Sequence, residues 1–498
     1  MVTTRSFAIP VEPLTQGIIG PWGQILPVEL FEGGDSYGLW GRDGLYYAKY
    51  GLGWSLVAAP LCFLGLVAAQ FLPAFTEGYI SRTAIMFLNP LLTAGTIALI
   101  FYLARQFYPT FLAATVGVVY GLGTIAWYYA KSAFSEPLVT LLLLAAIYAV
   151  YKGNYLVAGI ALAFMVLTRQ TAILLVLPVL LLASIRIHRK RPISIFKSMV
   201  CLLLPLIAGQ MSVWGYNAYR FGNPFEYGYR GVGWDTPFLL GLYSLLLSPG
   251  DGLLIFSPVL ILGITGWFFF IKGTASEKEW AWLTLGVILV FLIPHALYRD
   301  WAGGGGWGPR LLLPILPYLI LPLGKVINQG QRRLWRQFLL TIVLTISIFI
   351  QVMGVSVNWV RHLQRTLNAA SSPVGYYLRI HYDWRASPIL GQVRSLEEAV
   401  SILSQPTARE ILWQMVDEAK KVGISENQVV DWQSKAIDQL SFNVPDFWFL
   451  YLWFLGVPVG WLLGSFLALV VMLVGAGLKL RTELSRAPHF SESEPQIF

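Results

Sequence analysis

The sequence predicts an all-α polytopic membrane protein: about eleven transmembrane helices, juxtamembrane helices on one face, and a small helical cap. Three observations carry this. Of 498 residues, 56% are hydrophobic and 12% charged, with a mean hydropathy of +0.62, a balance that excludes a soluble globular chain. Apolar runs recur along the chain, each near the roughly 20 residues that a bilayer core demands. The 19 tryptophans and 24 tyrosines suit two membrane interfaces, where amphipathic rings collect.

The net charge of +9 fits basic cytoplasmic loops facing anionic lipid better than it fits nucleic acid. Cys62 and Cys201 lie in apolar runs, so neither a disulfide framework nor a metal cluster is expected.

Residues 1–83 read as an outer-face loop and juxtamembrane segment. Pro10, Pro13, Pro21 and Pro27 punctuate its start, and no basic region followed by a hydrophobic core marks a signal peptide. The stretch Arg42-Asp43-Gly44-Leu45-Tyr46-Tyr47-Ala48-Lys49-Tyr50-Gly51-Leu52-Gly53 gathers a carboxylate, aromatic hydroxyls, a lysine and glycines directly before an apolar run. Such a set suits a site that activates a hydroxyl and holds a phosphate. Taken alone, it reads more plainly as an interface loop. The apolar run at 53–75 is interrupted by Pro60 and Pro73, and either crosses the membrane or lies along its surface.

Further spans are expected at about 84–104, 111–128, 137–151, 155–168, 171–185, 197–218, 253–272, 280–298, 310–327, 337–357 and 447–477. Three basic loops orient them: Arg186 to Lys197, Lys325 to Arg336, and Lys479 to Arg486. All three fall on one side, the cytoplasm by the positive-inside rule. The loops holding Asp43, Glu136, residues 219–252, 299–310 and 358–446 then share the opposite face. That count requires either that 53–75 does not cross or that a helix precedes Met1.

In Lys131-Ser132-Ala133-Phe134-Ser135-Glu136-Pro137, Glu136 opens a helix whose dipole favours a carboxylate, with Pro137 at its first turn. Capping alone explains that pair as well as a functional role does; Lys131 is placed to meet a phosphate. Arg169 and Gln170, between two short spans, face outward, where the arginine snorkels or serves a cavity. Ser248-Pro249-Gly250-Asp251-Gly252 is a tight turn with Asp251 a cap candidate first.

His295 to Arg310 is the sharpest stretch. Arg299-Asp300-Trp301 leads into four glycines, Trp307, Gly308, Pro309 and Arg310. Glycines permit close backbone approach to a ligand and free N–H groups for oxyanions, and Arg310 suits bidentate phosphate contact. No Gly-Lys-Ser/Thr follows, so this is not a P-loop.

Residues 359–446 form a polar segment with helical spacing at 395–404 and 408–422, read as an outer-face helical cap. A last transmembrane helix at 447–478 and a cytoplasmic tail at 479–498 complete the chain.

The order of these features resembles the GT-C superfamily of membrane glycosyltransferases, in its protein O-mannosyltransferase and aminoarabinose-transferase-like branch. The resemblance rests on Asp43-Gly44 through Gly53 with Ser55, Leu56 and Pro60; on Lys131 to Pro137; on Arg220-Phe221-Gly222 and Ser248-Pro249 with Gly252-Leu253-Leu254; and on Trp301 through Arg310. It covers about residues 5–360 and leaves the cap unmatched. It implies a GT-C-like transmembrane core at 84–358, in a bacterial inner membrane with the active site facing the periplasm. The implied reaction is inverting transfer of a monosaccharide from a polyprenyl-phosphate carrier to a glycan, lipid or protein acceptor. Asp43 and Glu136 are the implied catalytic carboxylates. Lys49, Lys131, Arg299, Arg310, Tyr46 and Trp307 are the implied substrate and phosphate ligands. A divalent cation is compatible with this chemistry. The family's first helix and its leading aspartate would fall before Met1, so either an upstream in-frame segment or a chain that lost both is expected.

Two rivals stand beside that reading. A transporter or flippase for lipid-linked sugars would carry similar spans, with internal repeats and broken helices near the midplane. A non-catalytic partner in an envelope assembly would need no acid at all.

Overall fold

The computed structural model describes residues 38–43, 46–71, 77–188, 192–229, 233–303, 306–330 and 333–403, the strand pairs near 18–26, and scattered positions from 417 to 475, including 445–447. The span expected at 447–477 and the cap helix expected at 408–422 lie largely outside the described residues.

Two small antiparallel ribbons precede the helices. β1 (Ile18–Ile19) pairs with β2 (Ile25–Leu26), and β3 (Gly38–Trp40) with β4 (Tyr46–Ala48), Leu39 opposite Tyr47. Strands of two or three residues carry no sequence period, so an all-α expectation passes over them. The second ribbon matters because it carries the Asp43–Lys49 stretch.

The run at 53–75 forms α1 (Leu52–Ala69), one continuous helix through Pro60, apolar and long enough to cross a membrane. α2 (Glu77–Met86) and α3 (Leu88–Ala104) follow, with 80–104 a single apolar span. Next come α4 (Thr110–Gly123), α5 (Ala126–Ala130), α6 (Glu136–Tyr151) and α7 (Tyr155–Thr168). A 3₁₀ turn, Gln170–Leu175, leads into α8 (Val176–His188), and α9 (Pro192–Phe221) is the longest helix described. α10 (Phe238–Leu247), α11 (Leu253–Phe256), α12 (Val259–Ile271) and α13 (Ala275–Leu297) precede the glycine loop. Beyond it lie a 3₁₀ turn (Arg310–Ile315), α14 (Leu316–Ile320), α15 (Leu323–Gly330) and α16 (Leu334–Ser356). The cap begins with α17 (Val360–Asn368), α18 (Pro373–Tyr382) and α19 (Pro388–Leu403).

Among the described residues, six helices are long and apolar enough to cross a membrane, or seven if 310–330, bent by 49°, is one span. The difference from about eleven lies in α4, α6, α7 and α12, and in 447–477, which falls largely outside the described residues. At 1.5 Å per residue these four helices reach about 20–24 Å, short of a roughly 30 Å hydrocarbon core. Hydropathy counts them as spans, whereas their ends bend into turns at Gly123, Lys152, Arg169 and Lys272.

The two ends of the bundle differ in kind. At one, Glu277 completes a capping box with Thr274 and pairs with Lys325 at 2.6 Å, while Arg186 reaches Glu279 at 2.7 Å and lies over the Tyr151 ring. Following α8 and α13 to their other ends leads to Arg169 and His295. The chemistry-bearing residues gather there. Between the ends, a packed aromatic and aliphatic core includes Trp280 stacked on Tyr318. Cys62 and Cys201 are both free thiols.

Candidate functional site

Glu136 is the centre of the site. It opens α6, yet its carboxylate does not cap the helix. Oε1 accepts a hydrogen bond from Arg169 Nη1 and lies 3.4 Å from Arg310 Nε. The side chain is 2% exposed and, among the described residues, Oε2 has no hydrogen-bond partner. A buried carboxylate is tolerated only when opposite charge compensates its desolvation, and two guanidiniums do so here.

Each arginine is held by separate machinery. Arg169 follows α7 directly, at the turn into the 3₁₀ segment, and its neighbour Gln170 donates to Asn217 Oδ1 at 3.3 Å. The start of α1 is pressed against this corner: a Cβ on Gly51 would meet the Leu167 carbonyl, and one on Gly53 the Thr168 hydroxyl. These glycines serve close helix approach, which fixes where Arg169 points. Arg310 stands where the glycine loop ends. Its Nη2 donates to the Gly303 carbonyl, and its guanidinium lies 4.0 Å over the Phe134 ring. Gly303 and Gly308 both have φ near +70°, the left-handed region that L side chains rarely adopt. The loop can therefore fold back onto its own arginine.

The segment leading to Glu136 is pinned from below by Asn89 of α3. Its Nδ2 donates to Ser132 O at 2.6 Å and Phe134 O at 2.8 Å, and its Oδ1 accepts from Trp54 Nε1 at 3.4 Å. One buried amide thus ties α1, α3 and the 131–135 loop together.

Tyrosines line the approach. The charges of Arg169, Arg310 and Glu136 all act on Tyr50 and on Tyr229, and burial pushes the Tyr229 phenol up. Lys49 Nζ stands 4.9 Å over the Tyr229 ring. The strand leading to Lys49 is held by Arg220, fully buried at the end of α9. Arg220 donates to the Ala48 carbonyl, to Tyr50 O at 3.3 Å and to Asn217 Oδ1 at 2.7 Å. The Arg220-Phe221-Gly222 triplet therefore buttresses the first loop.

The structure brings Glu136 and Arg310 together, sets Lys49 over the Tyr229 ring, and leaves others apart. Asp43 is exposed and accepts from Tyr47 Oη at 2.6 Å, a bond that raises the Tyr47 phenol above its usual range. Lys131 is committed to the cap side: it donates to Val355 O at 2.7 Å and pairs with Asp446 at 2.8 Å. Arg299 is exposed and paired with Asp235, whose carboxyl it holds below the usual range. Trp307 is wholly buried, edge-on to Phe256 at 5.0 Å and stacked with Tyr128 at 6.2 Å, so it supports the loop from within. Tyr46 belongs to β4, but its side chain lies outside what is described.

Sequence reasoning left Arg169 undecided and gave Asn89 no role. A lone asparagine in an apolar helix was the available signal for the second, since a polar group there must find partners. The divalent cation left open by the sequence has no ligand set: among the described residues no three His, Cys, Asp or Glu side chains lie together to hold one.

No family model matches the chain, and no curated protein does. Among solved structures the chain is similar to the crystal structure of ArnT from Cupriavidus metallidurans bound to undecaprenyl phosphate. Identity is 13% and the TM-score 0.35, over 81% of this chain and 77% of that one. A likeness this distant carries no argument about chemistry.

Proposed function

We propose that this chain is a membrane glycosyltransferase of GT-C type, moving a monosaccharide from a polyprenyl-phosphate carrier to an acceptor at the outer face. The observation that carries the reading is the Arg169–Glu136–Arg310 cluster. Two guanidiniums converge on one carboxylate at the end of an apolar bundle, with Glu136 Oε2 and Arg310 Nε making no hydrogen bond among the described residues. Unspent donor and acceptor capacity at a buried charged site calls for a ligand.

A phosphate fits it. On departure from the sugar, a polyprenyl phosphate gains negative charge, and arginines already oriented stabilise that charge without reorganising. Arg310 and Arg169 supply the cations, Glu136 fixes their direction, and Lys49 approaches from the first loop. Glu136 then acts as a positioning residue, because its Oε1 is shared between the two arginines. The tyrosines offer hydroxyls to the sugar.

The rival transporter reading draws on one feature, the bend of 49° between α14 and α15. The break is buried, however, with Leu321 and Leu323 fully covered, and it sits away from the arginine cluster. A broken helix serving transport would line a cavity.

The test is direct. Full-length protein in nanodiscs, given polyprenyl-phosphate sugars and envelope extract as acceptor, should release polyprenyl phosphate. Sugar movement across sealed vesicles with the carrier bond intact would instead establish the transporter.

A further inference from the structure

A second charged pair lies at the seam between the bundle and the cap. Asp251, in the turn before α11, is nearly buried; its Oδ2 lies 2.5 Å from Nδ1 of His381 on α18. The turn is set by Ser248, whose Oγ accepts from Asp251 N at 3.2 Å, and by Gly250 N donating to the His381 carbonyl at 3.2 Å. The carboxylate therefore serves the imidazole rather than capping α11, whose N-terminus has no side-chain cap bond. Among the described residues, His381 Nε2 has no hydrogen-bond partner, while the side chain keeps 13% exposure. A carboxylate holding Nδ1–H leaves Nε2 with its lone pair outward, the arrangement of a poised proton acceptor.

The surroundings connect this pair to the arginine cluster. The Trp301 indole lies 5.0 Å from the imidazole and its Nε1 donates to Tyr377 Oη at 3.2 Å. Trp301 stands two residues before Gly303, whose carbonyl holds Arg310. The Tyr129 phenol, beside the Gly308 carbonyl at 3.4 Å, feels the charges of Arg310, Glu136 and Asp251 alike. The two pairs thus flank one loop. Among the described residues, the titratable groups facing His381 besides Asp251 are the phenols of Tyr377 and Tyr382 on its own helix, and the Asp251 charge also acts on Tyr376.

We propose that His381, positioned by Asp251, takes the proton of the acceptor hydroxyl, so that the core–cap seam is the acceptor end of the site. This rests on the transferase reading. As the acceptor oxygen attacks the anomeric carbon, its proton passes to Nε2. The bond from that carbon to the phosphate oxygen breaks, and its electron pair leaves on the polyprenyl phosphate held by the arginines. The imidazolium then returns its proton to water. The acceptor carries an alcohol and is flanked by aromatic faces, as a sugar or hydroxyl-bearing lipid headgroup would be.

His381→Asn separates chemistry from architecture, because its amide can still donate to Asp251 while Nε2 is gone. In nanodiscs, this variant should bind polyprenyl phosphate as wild type does and unfold at a similar temperature. Its kcat should fall about 10²–10⁴-fold with the acceptor KM little changed. Asp251→Asn should lower kcat with KM kept, since it loses only orientation. If His381→Asn transfers sugar at the wild-type rate, His381 is not the proton acceptor and the transferase reading survives. Should the wild type bind the carrier but release no polyprenyl phosphate, both readings fall. Should His381→Asn unfold, Asp251→Asn is read in its place, and a wild-type kcat in that variant overturns the proposal.

Discussion

Arg169 Nη1 donates to Oε1 of Glu136, 33 residues upstream and on another helix, and that bond joins two short helices at the chemical end of the bundle. Neither residue could sit there alone. An arginine at membrane depth costs roughly 3 kcal/mol when unpaired, and an uncompensated buried carboxylate costs more. The pair therefore fixes the α6–α7 corner and, in the proposed function, holds a cation in place for a phosphate.

Glu136→Gln should expose how the cluster is balanced. The amide leaves two buried guanidiniums without their counter-charge, and breaking a buried pair costs about 3–5 kcal/mol. Thermal unfolding in nanodiscs should show a clear loss, and added polyprenyl phosphate should recover more stability in Glu136→Gln than in wild type. Equal shifts in both would mean that the phosphate does not meet these arginines.

Asn89→Leu should loosen the loop before Glu136 without touching any charge. Ser132 O and Phe134 O lose their donor, at about 1–3 kcal/mol for the buried groups left unpaired. Faster amide exchange across 131–135, with exchange in α4 unchanged, is the expected reading. Uniform loss of protection would place Asn89 in general packing instead.

How much of this was legible follows from distance along the chain. The helix positions read well because hydropathy is local, and α7 falls on the expected 155–168, although it is too short to count as a span. Glu136 and Arg310 were visible because Pro137 and the glycine run flag them from neighbouring positions. Arg169 stood out as a charge between apolar runs, but its partner is 33 residues away and nothing local names it. Lys131 looked like a phosphate ligand by proximity to Glu136 in sequence; the structure turns it toward Asp446, 315 residues on. Asp251 and His381, 130 residues apart, share no sequence signal at all.

The cap should lose stability in acid through His362. This side chain is buried in α17, with Nε2 2.8 Å from the Ala386 carbonyl. Burial lowers its pKa from 6.5; the carbonyl opposes that shift and Arg365 adds to it. Below pH 6.5 the unfolded cap takes up the proton before the folded one, so stability falls as pH drops from 6.5 toward the lowered value and is flat above. Amide exchange measured over Val360–Asn368 between pH 5 and 8 should show that trend, and His362→Asn should remove it. An unchanged trend in His362→Asn would assign the acid sensitivity to another group.

Arg310 offers the sharpest division between a phosphate ligand and a structural tie. Its guanidinium already spends Nη2 on the Gly303 carbonyl and turns Nε toward Glu136, while its flat face covers Phe134. Lysine keeps the charge but cannot reach the loop carbonyl and the phosphate together, nor stack as a plane. Arg310→Lys should therefore insert and fold yet lose about 1.5–3 kcal/mol of carrier binding or transition-state stabilisation, roughly ten- to a hundred-fold in affinity or rate. Arg310→Ala should fall further and lose stability as well, since Glu136 then keeps Arg169 alone. Carrier affinity measured by titration, beside unfolding temperature, separates the effects. A stable Arg310→Lys protein with wild-type affinity and rate would leave Arg310 as the brace of the glycine loop, with the phosphate held by Arg169 or elsewhere.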